Sequence, residues 1–455
     1  MFAMTSLSAT SLDVVRLYAA ALEASTNTNF VAARDSLLKA VELDPMFGLG
    51  YQSLAVVSRN LGRPQEAEQY MGAAIAHLDT MTERERFNVR GMQFRLTGDY
   101  ESCVTEYTQL ITRYAADVVG HNQRALCLTK LRRMREAVDA MRQMTELLPN
   151  RTIFRTNWSW YASYAGDFQA AEQAARAIQE PDQFATHALA FSLLGQERRD
   201  EARATYESLT RFGEQGASMA AAGLADLAAY EGRYADAVRV LERGVAGDLK
   251  VNNRYSAALK LAALAHARLS QGNPRAAIAA ADQALTHSSA VNVRFLAARA
   301  FVAAGNAARA GTEAASLASE PESEPQAYAR ILEANIAMAG GDARRAVGLL
   351  EEANKLFDTW IGHFDLGRAY LEAGRHLQAD SEFDTCLKRR GEALSLFIDE
   401  EPTYAFLPSL YYYQGRVRES LGTQGFRESY RQYLSIRGGS PEDQLARDIR
   451  GRLGP

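Results

Sequence analysis

Asparagine beside arginine or lysine on a groove wall can grip a peptide backbone or a carboxylate. This 455-residue sequence offers such a set in Arg59, Asn88, Arg95, Asn122, Lys130 and Asn157. Trp160 and Tyr164 lie four residues apart, so a helix would place them on one face as an apolar wall. The chemistry these side chains suggest is recognition of a protein or peptide. Strings that mark bond-breaking chemistry are missing: Gly48-Leu49-Gly50 has no third glycine, and neither a kinase catalytic loop nor a Walker A string occurs. The seven histidines show no HExxH spacing and no nearby cysteine pair. The sequence therefore predicts no enzyme, no metal and no cofactor. The competing reading is a hydrolytic enzyme with a site built from groove carboxylates, motivated by the abundance of Glu and Asp.

The elements that must carry these residues show in the spacing. Gly98-Asp99-Tyr100 and Gly166-Asp167-Phe168 stand two 34-residue periods apart, and Pro149 falls where that pattern wants a proline. A glycine ends the first helix of each unit without Cβ strain, and a short polar residue then caps the second, as in Gly98-Asp99, Gly305-Asn306 and Gly341-Asp342. Gly272-Asn273-Pro274 adds a proline at the first helical position.

Helices that cross closely need small side chains at the crossing. The first-helix column reads Ala21, Ala55, Gly91, Ala125, Ser159, Ala190, Ala225, Ala265, Ala298, Ala334 and Gly367. Twelve residues later the second-helix column reads Ala33, Ala67, Cys103, Ala137, Ala171, Ala202, Ala237, Ala277, Ala310, Ala346 and Ala379. One turn further, larger residues such as Leu37, Met71, Tyr107, Met141, Tyr206, Leu241, Leu350 and Phe383 are placed to fill the space between hairpins. This pattern resembles the tetratricopeptide repeat. The expected fold class is all-α, a superhelical solenoid of helix-turn-helix repeats whose concave side carries the groove residues.

Bulk composition agrees. A net charge of -4 gives no reason to expect nucleic acid or an anionic membrane as partner. Cys103, Cys127 and Cys386 lack CxxC spacing and read as small buried hydrophobes of a reducing compartment, so disulfides are not expected and cytoplasm is the first choice of location. Met1 to Thr10 has neither a basic nor a long apolar stretch, and Ala217 to Tyr230 is short and contains Asp226. Neither a signal peptide nor a membrane span is therefore expected.

Thr82 is placed to cap a charged helix start. The run Glu320-Pro321-Glu322-Ser323-Glu324-Pro325 is the candidate joint, dividing a repeat array over 1–320 from C-terminal repeats over 327–455. Asp399 to Pro402 is a second break, and Glu442 to Leu453 a last helix that can cap the open apolar end.

Three further stretches narrow the resemblance. Thr82-Glu83-Arg84-Glu85-Arg86-Phe87, Val119-Gly120-His121-Asn122 and Phe397-Ile398-Asp399-Glu400-Glu401-Pro402-Thr403 are similar to the repeat region that follows the kinase domain in bacterial eukaryotic-like serine/threonine kinases. That resemblance implies a sensor or scaffold half in signalling, on this chain alone or as a fragment of a longer protein. It carries over no active-site residue.

Overall fold

The computed structural model describes residues 7–26, 29–61, 63–440 and 443–454. The expected turn residue Gly62, part of the Thr26–Asn29 loop, Met1 to Ser6 and the start of the last helix at Glu442 lie outside the described residues. Among those described, the regular structure is helical and no strand occurs. None of the helices is long and apolar enough to cross a membrane.

The chain divides into two compact units, Met1–Leu147 and Leu148–Pro455. The first holds α1 Leu12–Thr26, α2 Phe30–Leu43, α3 Gly48–Asn60, α4 Pro64–Ala76, α5 Glu83–Thr97, α6 Tyr100–Arg113, α7 Val118–Lys130 and α8 Met134–Leu147. The second runs through α9 Thr152–Tyr164, α10 Phe168–Arg176, α11 Gln183–Gly195, α12 Arg199–Ser208, α13 Gly213–Tyr230, α14 Tyr234–Lys250, α15 Arg254–Ser270, α16 Pro274–His287, α17 Val291–Ala303 and α18 Ala307–Ala318. It continues with α19 Ser323–Ala339, α20 Ala343–Leu356, α21 Trp360–Glu372, α22 His376–Lys388, α23 Pro408–Ser420, α24 Gly425–Arg437 and α25 Gln444–Leu453. The Pro/Glu run at 320–325 falls inside the second unit, where Ser323 opens α19 and Pro325 is buried.

Each hairpin forms for local reasons visible in its ends. Gly98 takes φ +79 at the end of α5, a left-handed turn that a Cβ would strain, and Asp99 then accepts the Ser102 N–H at the start of α6. Asn273, Asn306 and Asp342 cap α16, α18 and α20 in the same way, each such cap contributing about 1 kcal/mol. Thr82 and Glu85 form a reciprocal capping box on α5.

Both small columns are buried at every position. Where the first column is glycine, the large residue sixteen positions on fills the vacancy: a Cβ on Gly91 would sit 2.6 Å from the Tyr107 ring, and one on Gly367 would sit 2.5 Å from Phe383. Packing therefore ties the columns together as the spacing implies.

Two of the cysteines depart from expectation. Cys103 and Cys127 form a disulfide between α6 and α7, with their Cα atoms 6.3 Å apart. Cys103 occupies the second small column and Cys127 follows Ala125 of the first column in the next repeat, so helix stacking brings them together although their spacing matches no motif. Cys386 remains a buried thiol.

Candidate functional site

The candidate groove residues divide between the two units. In the first, Arg59 on α3 is exposed and donates through Nη1 to the Leu96 carbonyl of α5 at 2.8 Å. Asn88 and Arg95 on α5 are half-buried. The Asn88 side chain accepts from the Tyr107 hydroxyl at 3.2 Å, and burial holds the Arg95 guanidinium below its usual range with the Arg59 charge adding to the effect. Asn122 and Lys130 on α7 are half-buried. Three consecutive first helices of the hairpins thus carry this set.

In the second unit Trp160 and Tyr164 do stack on one face of α9, with ring centroids 6.1 Å apart. Both are buried rather than free for a partner. Trp160 packs edge-on against Phe191 and His187, and the Tyr164 hydroxyl donates to the Asp399 carbonyl at 2.5 Å. Asn157, one turn earlier on α9, is half-buried.

Asp399 belongs to a stretch that sequence reasoning marked only as a break. Between α22 and α23 the chain leaves helical geometry apart from short 3-10 turns at Arg390–Leu394 and Tyr404–Phe406, and it crosses the first helices of the hairpins. Gly391 lies against the end of α9 so closely that a Cβ there would meet the Ser163 carbonyl oxygen at 2.2 Å. Arg390 stands over the Phe168 ring, and Asn292 reaches both the Tyr255 hydroxyl and the Asp399 carboxylate. Phe397 packs edge-on against Phe295 and Tyr328. Tyr404 stacks on Tyr230 at 4.9 Å, and Phe406 on His266 at the same distance. Asp226 of α13 accepts the backbone N–H groups of Tyr404 and Ala405 at 3.0 and 3.1 Å, one on each carboxylate oxygen. The inner face of this unit therefore holds a length of its own polypeptide.

Charged groups that sequence analysis did not single out anchor this region. Lys260 of α15 donates to Asp248 at 2.7 Å and to Ser218 at 2.8 Å, with both charged side chains only 3% exposed. Asp365 of α21, fully buried, accepts from Arg299, Arg368 and Asn335. Arg437 of α24 reaches three carbonyls, on Ala229, Tyr230 and Ala405. The available signal was a charge set inside an otherwise apolar helix, as at Asp226 in Ala221–Tyr230 and Lys260 in Ala257–Ala265.

A model of the tetratricopeptide repeat family matches residues 262–325 and 331–383, which span α16 to α22 and the end of α15. Over these residues the chain is similar to tetratricopeptide repeats. No curated protein matches the sequence. Solved structures that match include a tetratricopeptide repeat protein from Parabacteroides merdae, at 12% identity, 72% of this chain, 100% of that chain and a TM-score of 0.34. PilF of Pseudomonas aeruginosa matches at 17% identity over 44% of this chain and 92% of its own, with a TM-score of 0.33. The Cut9–Hcn1 hetero-tetramer of the APC/C matches at 12% identity over 98% and 97%, also with a TM-score of 0.33. The segment 390–407 follows the matched repeats and lies against α15 and α17 among them.

Titration of this inner surface has a consequence for stability. Burial pushes the Asp226 carboxyl up to about 7 against the pull of two backbone N–H groups and Arg437. Burial, with Asp399 and Glu400 adding, pushes Glu401 up to about 8. A carboxyl raised in the folded state is neutral there while its unfolded counterpart has already ionised, so stability falls as pH climbs from about 4.5 through 8. His363 acts in the same direction. Burial opposes its charge, but hydrogen bonds to Asp358 and Glu382 prevail and raise it to about 9, so its contribution is full below about 6.5 and fades through 9. His266, lowered to about 4 by burial, and His187, lowered to about 3, work the other way, losing stability as pH falls below about 6.5. The melting temperature should therefore change little between about pH 4.5 and 6.5, where the two carboxyls and the two lowered histidines offset one another, and decline towards pH 8.5. Glu401→Gln should shrink that alkaline decline, leaving the part due to Asp226 and His363; an unchanged slope in melting curves would remove Glu401 from this account.

Proposed function

We propose that this chain is a protein-interaction scaffold whose first unit receives an extended segment of a partner on the helices that carry Arg59, Asn88, Arg95, Asn122 and Lys130. The observation that carries the reading is the second unit's hold on residues 390–407. There a repeat inner face grips non-helical polypeptide by accepting its backbone N–H groups on Asp226 and by stacking its aromatic rings on Tyr230 and His266. Trp160 and Tyr164 are assigned to seating that internal segment, and the first unit's set to a partner in trans. Three cations among five residues favour a segment bearing carboxylates, which guanidinium groups bind in paired hydrogen bonds.

The likeness of Thr82–Phe87 and Phe397–Thr403 to repeat regions of signalling kinases supports a place beside a signalling domain. The Cys103–Cys127 disulfide supports an oxidising environment for the first unit in preference to the cytoplasm.

Selecting a random peptide library on the full chain should enrich acidic, extended sequences. The double variant Arg59→Glu, Lys130→Glu should weaken the enriched peptide on the order of tenfold or more without changing the circular dichroism spectrum. Enrichment of sequences without carboxylates, or equal affinity for the variant, would overturn the reading.

A further inference from the structure

The second unit has an open cavity of about 610 Å³ between α13, α15, α17, α19, α21 and the crossing segment, a volume within the range of small-molecule sites. Its walls are largely alanine, leucine and valine side chains such as Ala263, Leu296 and Ala300, with Met338 at the α19 side. The polar groups that line it are unevenly distributed. Arg299, Arg368 and Asn335 meet at Asp365, while Asp226, Lys260 and Glu401 belong to the part bounded by the crossing segment.

The charge at the Asp365 cluster does not balance. Its two oxygens accept four contacts, two from Arg299, one from Arg368 and one from Asn335, which fills the capacity of a carboxylate. Two guanidinium groups thus share one anion. Arg368 Nε is buried with no hydrogen-bond partner, and the remaining faces of both arginines lie over rings, Arg299 over Phe295 and Phe406, Arg368 over Phe364 and Tyr413. One positive charge is left facing a largely apolar chamber, where an uncompensated ion is costly.

The opposite part lacks a complementary surplus. Lys260 is spent on Asp248 and Ser218, and Asp226 is filled by two backbone N–H groups. Glu401, beside Asp399 and Glu400, favours its neutral form at pH 7. Glu372, at the rim one turn after Arg368, is exposed to solvent.

We propose that this cavity binds an apolar monocarboxylate, its head on Arg368 and Arg299 and its hydrocarbon body along the alanine-lined wall. A single negative charge matches the surplus. This site is separate from the partner-binding face of the first unit, so either reading can fail without the other.

The test compares hexanoate, decanoate, decanol and decylamine at concentrations below aggregation, by calorimetry and by thermal melting of the full chain. Decanoate should bind saturably at one per chain and raise the melting temperature. Decanol should bind at least tenfold more weakly, and decylamine should not saturate. Arg368→Met should abolish decanoate binding. Ala263→Phe, at an exposed position that lines the cavity outside the close-packed core, should abolish it as well with the fold intact. Absence of saturable binding by either acid, equal binding of the amine or the alcohol, or decanoate binding unchanged in folded Ala263→Phe would overturn the proposal.

Discussion

Arg437→Met should destabilise the second unit by about 3–5 kcal/mol, because the lost guanidinium satisfies several buried acceptors at once. Arg437 is almost fully buried, donating to the Tyr230 carbonyl at 3.0 Å, the Ala229 carbonyl at 3.1 Å and the Ala405 carbonyl at 2.7 Å. Ala229 and Tyr230 end α13, where last-turn carbonyls have no helical partner and a cation is favoured by the helix dipole. Ala405 belongs to the crossing segment, so one side chain joins α24, the end of α13 and residues 404–406. Its faces are covered by Tyr234 and Tyr433, with ring centroids 5.6 and 5.9 Å away. Methionine can fill the volume but leaves three carbonyls without that donor. The same change withdraws the positive charge that lowers the Asp226 carboxyl, weakening its hold on the Tyr404 and Ala405 N–H groups. Chemical denaturation should show the loss in midpoint, and limited proteolysis should cut near residues 398–403 sooner than in the parent chain. A midpoint within 1 kcal/mol of the parent, with unaltered proteolysis, would show that Arg437 does not latch the segment.

The repeat architecture was legible because it is written locally. Gly98-Asp99 sets a turn and a cap within five residues, and the small columns recur at positions fixed by the period, so burial of Ala125 or Ala310 follows from spacing alone. The crossing segment was legible only as an interruption. Helical periodicity carries no information about where a non-helical stretch goes, and Phe397, Tyr404 and Phe406 acquire their partners through space, from helices more than a hundred residues earlier in the cases of Tyr230 and His266.

The same reason accounts for the cysteines. Cys103 and Cys127 are 24 residues apart with no motif between them, and only the stacking of α6 on α7 makes them neighbours. For the groove, spacing placed Trp160 beside Tyr164 correctly, yet could not reveal that Asp399 of the same chain would occupy the Tyr164 hydroxyl. Surface position inferred from one helix fails when a distant segment covers that helix.

Lys260→Met should cost about 3–5 kcal/mol, while the double variant Lys260→Met, Asp248→Leu should recover most of that loss. The Lys260 ammonium lies 2.7 Å from an Asp248 oxygen with both side chains 3% exposed, and its stem passes over Gly244, where a Cβ would stand 2.9 Å from the lysine Cδ. Removing the cation alone strands a carboxylate away from water. Replacing both by apolar groups of similar bulk removes two desolvation penalties with one attraction, which is why buried pairs can be exchanged at little net cost. Loss of Lys260 also removes a positive charge that lowers Glu401, so the single variant should steepen the fall in stability between pH 6.5 and 8.5. In the double variant the Asp248 charge that raises Glu401 has gone as well, and the slope should return towards that of the parent. Denaturation midpoints of the four-member cycle at the two pH values separate these effects. If the double variant is as unstable as Lys260→Met, the pair does more than neutralise itself, and the bond from Lys260 to Ser218 of α13 becomes the contact that holds α13 and α15 in register.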